Sequence, residues 1–106
     1  TCIANDFGFT QVFARQIEAL ARPGDLLVLF STSGNSPNIL AALDSAHSRG
    51  VTSIAMLGKG GGAAAQQADH ALIVPSENSA RIQEAHTLLL HAICEELERR
   101  VVMRDA

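Results

Sequence analysis

Apolar positions in this chain alternate between helical spacing and continuous runs. Phe9, Val12, Phe13, Ile17 and Leu20 fall on one face at three-to-four spacing, which predicts a helix from Phe9 to about Ala21. Pro23-Gly24 ends it. Asp25 to Phe30 is a nearly unbroken apolar run, as expected of a strand buried on both faces. A second helix is predicted from Pro37 to about Arg49, with Ile39, Leu40, Leu43 and Ala46 inward and Gly50 as its stop. Val51–Leu57 reads as a strand, Gly58–Gly62 as a glycine-rich turn, and the next residues as a short alanine-rich helix to about Ala68. Ala71–Val74 reads as a third strand stopped by Pro75, and Ser79 to about Val102 as one long helix. Thr1-Cys2-Ile3-Ala4 reads as the end of an earlier strand, so a further N-terminal portion is expected in the natural protein.

Strands that alternate with helices through short connections give an α/β fold, a parallel sheet with helices on both faces. With 106 residues the chain supports one domain and one core. Apolar residues make up 47% and charged residues 18%, a globular composition. The net charge of −3 and the scattered lysines and arginines argue against a nucleic-acid partner. No apolar run approaches the roughly 20 residues of a membrane span, so no membrane partner is expected. Cys2 and Cys94 fit no metal or redox spacing and read as free thiols in a reducing, cytoplasmic setting.

Ligands of parallel sheets bind beyond the carboxyl ends of the strands. Ser31, Thr32, Ser33 and Ser36 lie at such an end, around Gly34, where a strand passes into a helix. Hydroxyls and free N–H groups converge there, and the helix start adds about half a positive charge. The loop suits a phosphate; it equally suits a plain helix cap, with Ser36 as N-cap and Pro37 at the first helical position. Asn5 and Asp6, read as just past the first strand, either share that pocket or form an ordinary turn.

Gly58-Lys59-Gly60-Gly61-Gly62-Ala63 superficially matches a dinucleotide fingerprint. The helix after it is short, so the glycines read better as a close-packing turn, and no nucleotide cofactor is expected. On the last helix, Ile82, His86, Leu89, Leu90, Ile93, Leu97 and Val101 form an apolar stripe, which makes His86 a core or interface histidine. His91 lies on a polar face with Glu84, Thr87, Glu95 and Glu98, solvated in a monomer or facing another subunit in an oligomer.

Taken together, Asn5-Asp6-Phe7-Gly8-Phe9, Ser31-Thr32-Ser33-Gly34-Asn35-Ser36, Gly58-Lys59-Gly60-Gly61 and Arg81-Ile82-Gln83-Glu84-x-His86 with His91 resemble the sugar isomerase (SIS) domain. The phosphoheptose isomerase branch is the most similar, and the resemblance covers nearly the whole chain as a single domain. It implies a flavodoxin-like three-layer sandwich. It also implies conversion of sedoheptulose 7-phosphate to D-glycero-D-manno-heptose 7-phosphate for lipopolysaccharide or other glycans, by a homotetramer with sites between subunits. On this resemblance Ser31, Thr32, Ser33 and Ser36 hold the phosphate, and Asn5 and Asp6 contact substrate. Gln83 contacts substrate and, where zinc is bound, the metal. His91 serves in acid–base work or as a zinc ligand.

Two departures matter. Family members are longer, with an N-terminal helical portion that supplies a second loop, a histidine or aspartate, and a glutamate. Ala80 stands where some members have aspartate. A sister group with the same Ser-Ala-Arg-Ile-Gln-Glu stretch only binds, associating with the bacterial replication initiator, and tends to lack the histidine at position 91; a third reading is a regulatory domain that senses a sugar phosphate. Aldose–ketose isomerisation needs a base, an acid near the carbonyl oxygen and a clamp on the remote phosphate. Imidazole titrates near neutrality and suits the first two roles; zinc could polarise the carbonyl instead. The residues leave the two routes open.

Overall fold

A computed structural model describes residues 1–105. Three parallel strands, β1 (Leu26–Ser31), β2 (Thr52–Leu57) and β3 (His70–Ile73), form one sheet in the order β1-β2-β3. Leu26 pairs with Thr52 and Ser31 with Leu57, while Ile54 pairs with His70 and Leu57 with Ile73. Around the sheet lie α1 (Cys2–Phe7), a 3-10 turn (Phe9–Gln11), α2 (Ala14–Leu20), α3 (Pro37–Ser48), α4 (Ala64–Gln67) and α5 (Ser79–Asp105).

Alternation along the strands assigns the two faces. Leu29, Ala55 and Leu57 pack with Ile39 and Leu43 of α3 and Ala64 of α4 into the main core. Phe30 and Met56, paired in register, take the other face, where Phe30 meets His86 of α5. Helices therefore cover both faces, as the alternation of elements predicts. Ser36 starts α3 with Pro37 at its first position. At the other end Gly50 turns left-handed at φ +70°, and the Val51 N–H returns 2.9 Å to Ala46 O, satisfying a carbonyl that the helix leaves open.

The N-terminus differs from its sequence reading. Thr1–Ala4 is no strand end: Asn5 N–H bonds Thr1 O at 2.8 Å and Gly8 N–H bonds Ala4 O at 3.1 Å, which makes α1. Four residues with adjacent apolar Ile3 and Ala4 fit either period, so the pattern there does not discriminate. Asn5 and Asp6 accordingly sit within a helix rather than beyond a strand. The helix predicted from Phe9 is broken into the 3-10 turn and α2, and β3 begins at His70. Nor is β1 buried on both faces: Leu26 and Phe30 share the face that α5 meets beside Phe30, and they are 56% and 38% exposed. Only the first turns of α5 dock fully. Ile82 and His86 are buried, whereas Leu97 and Val101 of the same stripe are exposed.

Candidate active site

β1 ends in Ser31, which is buried, and its Oγ accepts the Gly34 N–H at 3.1 Å. Two residues on, Ser33 Oγ accepts the Asn35 N–H, also at 3.1 Å. The loop folds back on itself because Gly34 takes φ +71°, a conformation that side-chain-bearing residues avoid. Both serine oxygens act as acceptors within the loop, which leaves their O–H protons free to donate. Ser36 holds the N-cap position, but its hydroxyl makes no capping bond. A plain cap would use that hydroxyl on the helix, so the cap reading of this loop loses its main support.

The loop faces α5. Gln83 Nε2 donates to Thr32 Oγ1 at 3.2 Å, and Thr87 Oγ1 donates to Gln83 O at 3.0 Å. Between loop and helix lies a cavity of about 360 Å³, lined by Phe30, Ser31, Thr32, Gln83, His86, Thr87 and Leu90. His86 forms its floor, 5% exposed, with Nε2–H donating to Leu57 O at 2.9 Å. That bond fixes which ring nitrogen carries the proton in the neutral form. The core role read for His86 holds. Among the described residues, no Lys, Arg, Asp or Glu lines this cavity. Arg81 and Glu84, on the exposed first turn of α5, pair with each other at 2.8 Å.

Ser31, Thr32 and Gln83, which the family resemblance assigns to one site, thus lie together. Ser33 belongs to the same loop, and Ser36 borders a neighbouring groove of about 600 Å³ between β1, α2 and α3. Asn5 and Asp6 are exposed on α1, bonded to each other at 3.0 Å, and line neither cavity. His91 is exposed and lies outside the lining, eight residues past Gln83 on the same helix, about 12 Å along its axis. Among the described residues no group of three or more His, Cys, Asp and Glu side chains could hold a metal. Gln83 and His91 therefore do not make a zinc centre by themselves. The sequence reading missed Thr87 as a wall of the cavity, although its place one turn after Gln83 is a usable signal. It also missed Asn35, whose side chain accepts the Ala63 N–H at 2.9 Å.

The SIS domain family matches residues 6–97. The chain belongs to this family. Among curated relatives, the phosphoheptose isomerase of Campylobacter concisus is 52% identical over 98 residues, which are 92% of this chain and 52% of that protein. That of Citrifermentans bemidjiense is 48% identical over 104 residues, 98% of this chain and 54% of that one. A solved phosphoheptose isomerase from Neisseria gonorrhoeae superposes with a TM-score of 0.86 at 48% identity, covering 89% of this chain and 54% of that one. One from Francisella tularensis gives 0.89 at 40%, covering 92% and 55%. This SIS domain spans about half the length of the curated relatives it matches, and the family resemblance read from its motifs is borne out.

Proposed function

We propose that the protein carrying this SIS domain isomerises sedoheptulose 7-phosphate to D-glycero-D-manno-heptose 7-phosphate, supplying heptose for lipopolysaccharide or a related glycan. The observation that carries the reading is the serine loop at the end of β1, bonded through Thr32 to Gln83 across a cavity of about 360 Å³. Relatives at about half identity are named phosphoheptose isomerase, which supports this reading. The hydroxyls of Ser31, Thr32, Ser33 and Ser36 and the start of α3 clamp the phosphate and hold the open-chain sugar with its far end free. A base then removes a proton from C1 while an acid protonates the C2 oxygen. The resulting enediol loses its O1 proton and gains one at C2, giving the aldose. Gln83 orients the sugar by hydrogen bonds.

His91 is our choice for the proton-transferring group, acting across an interface of a homotetramer, because its exposed position on α5 leaves it open to a neighbouring subunit. Asn5 and Asp6, also exposed, would contact substrate from another subunit's side. Zinc binding through Gln83 and His91 requires further ligands from outside the described residues, and no step above depends on it. Two free cysteines, Cys2 and Cys94, agree with a reducing cytoplasm; among the described residues no helix is long and apolar enough to cross a membrane. The test is turnover of sedoheptulose 7-phosphate by the full-length protein, read as formation of the aldose. Binding of the sugar phosphate without turnover would replace this reading with a non-catalytic one.

A further inference from the structure

The serine loop is not held by its own helix alone. The glycine turn after β2 lies directly against it, and the contact is too close for side chains. A Cβ on Gly34 would fall 2.0 Å from Gly61 O, and one on Gly62 would fall 2.5 Å from Ser33 O and 2.7 Å from Asn35 Oδ1. Two hydrogen bonds cross this seam. Ala64 N–H donates to Gly34 O at 2.9 Å, and Ala63 N–H donates to Asn35 Oδ1 at 2.9 Å. The same turn touches the other wall of the cavity, since a Cβ on Gly58 would meet Ile82 Cδ1 at 2.5 Å, one residue before Gln83. The turn therefore fixes the serine loop relative to the start of α5.

Among the described residues, Asn35 is the one side chain whose hydrogen bond ties the two loops together. Its N–H engages Ser33 Oγ, which leaves the Ser33 O–H as a donor, and its Oδ1 anchors the loop to Ala63. Asn35 is exposed, so it adds nothing to the buried core. We propose that Asn35 is a positioning residue: through the Ala63 N–H it holds the serine loop in the conformation that captures the phosphate, without itself touching the ligand. This deepens the function proposed above and rests on its assignment of the serine loop to the phosphate.

The full-length protein tests this with two cuts of the same bond. Asn35→Ala removes the acceptor. Ala63→Pro removes the donor, and Ala63 already has φ −65°, which proline adopts. The measurements are kcat and KM for sedoheptulose 7-phosphate, the calorimetric affinity for inorganic phosphate, and the melting temperature. Each variant should raise KM and the phosphate dissociation constant about three- to tenfold, the worth of one net hydrogen bond, with kcat nearly unchanged. The double variant should be no worse than the weaker single one, because both remove one interaction.

Unchanged KM and phosphate affinity, with only a lower melting temperature, would overturn the proposal in favour of a merely structural tie. Weakened binding in Asn35→Ala but not in Ala63→Pro would also overturn it, because Asn35 would then contact the ligand directly. If the wild type fails to turn over the sugar phosphate but both variants still weaken inorganic phosphate, the positioning role stands and the substrate assignment falls. A wild type that binds no phosphate at all overturns both.

Discussion

A Cβ on Gly34 would lie 2.0 Å from the backbone of the glycine turn, whereas Leu97, Val101, Val102 and Met103 of α5 each keep more than half of their surface exposed. The serine loop is knitted into the body of the chain by backbone contacts. The helix that carries His91 docks through Ile82 and His86 and then runs out along an open surface. Mutations in the two regions should therefore fail in different ways. Changes in the seam should cost folding and binding together. Changes on the outer face of α5 should cost chemistry or assembly and leave the subunit's own core intact.

The largest effect expected is at His91. If it transfers the proton, His91→Ala should lower kcat of the full-length protein by on the order of 10²–10⁴. Its melting temperature and its calorimetric affinity for the sugar phosphate should stay near wild type, because His91 is exposed and lines no part of the serine cavity. Normal turnover would remove His91 from the mechanism and leave the proton transfer to another group.

Gly34→Ala should come next, with the opposite signature. The new methyl meets backbone atoms at Gly61 that cannot swing aside, and φ +71° adds the strain of a left-handed alanine. Together these should cost about 2–5 kcal/mol of stability. Gly60→Ala is the control. It has φ +80° but nothing within 4 Å of the added Cβ, so only the strain of about 1–2 kcal/mol applies. Equal losses in denaturant melts would mean that the seam is looser than its geometry.

Much of this contrast was legible in the residues. The serine cluster, the glycine turn and the strand–helix alternation all rest on local signals: an apolar run, a stop, a hydroxyl-rich turn. The tie between Thr32 and Gln83 joins positions far apart in sequence, and only the family resemblance put them in one site. Asn35 escaped notice because an asparagine beside a glycine is explained well enough by turn chemistry, and its partner is a backbone N–H that no sequence pattern marks. The N-terminal misreading has a different cause. Thr1–Ala4 is too short to carry a period, and α1 rests mainly on its own backbone bonds. Likewise β1 reads as buried on both faces because an unbroken apolar run does not say how much of each face a helix covers.

A smaller effect tests the loop's hydroxyls. Ser33→Ala and Ser36→Ala should each weaken sugar-phosphate binding by about 1–3 kcal/mol, the cost of one charge-assisted hydrogen bond. Neither should change the core. Ser36 gives the cleaner reading, since its hydroxyl makes no capping bond that could be lost with it. Unchanged calorimetric affinity in both variants would leave the loop as structure only.

The smallest effect separates the same two regions by pH and salt. In the knitted body, Asp69 accepts the Ser53 N–H at 2.9 Å and its Oγ–H at 3.3 Å, and the Asp69 N–H returns to Ser53 Oγ at 3.0 Å. The Ser53 backbone bond is the main reason its carboxyl is held below the ordinary value. On α5, Glu96 is lowered to about 2, first by Arg99 and then by Arg100. Both shifts are downward, so the folded form favours the ionised carboxylate. The stabilisation is present above the ordinary carboxylate range and is lost as pH falls through the lowered native values. Melting curves at falling pH in low and high salt should distinguish the two. Asp69→Asn should flatten the acid limb at either salt, because a hydrogen-bond pair with Ser53 is little screened. Glu96→Gln should flatten it only at low salt, because exposed ion pairs are screened and contribute little. Acid limbs that respond to salt alike in both variants would show that the Glu96 pairs within α5 are screened no more than the Asp69–Ser53 bonds.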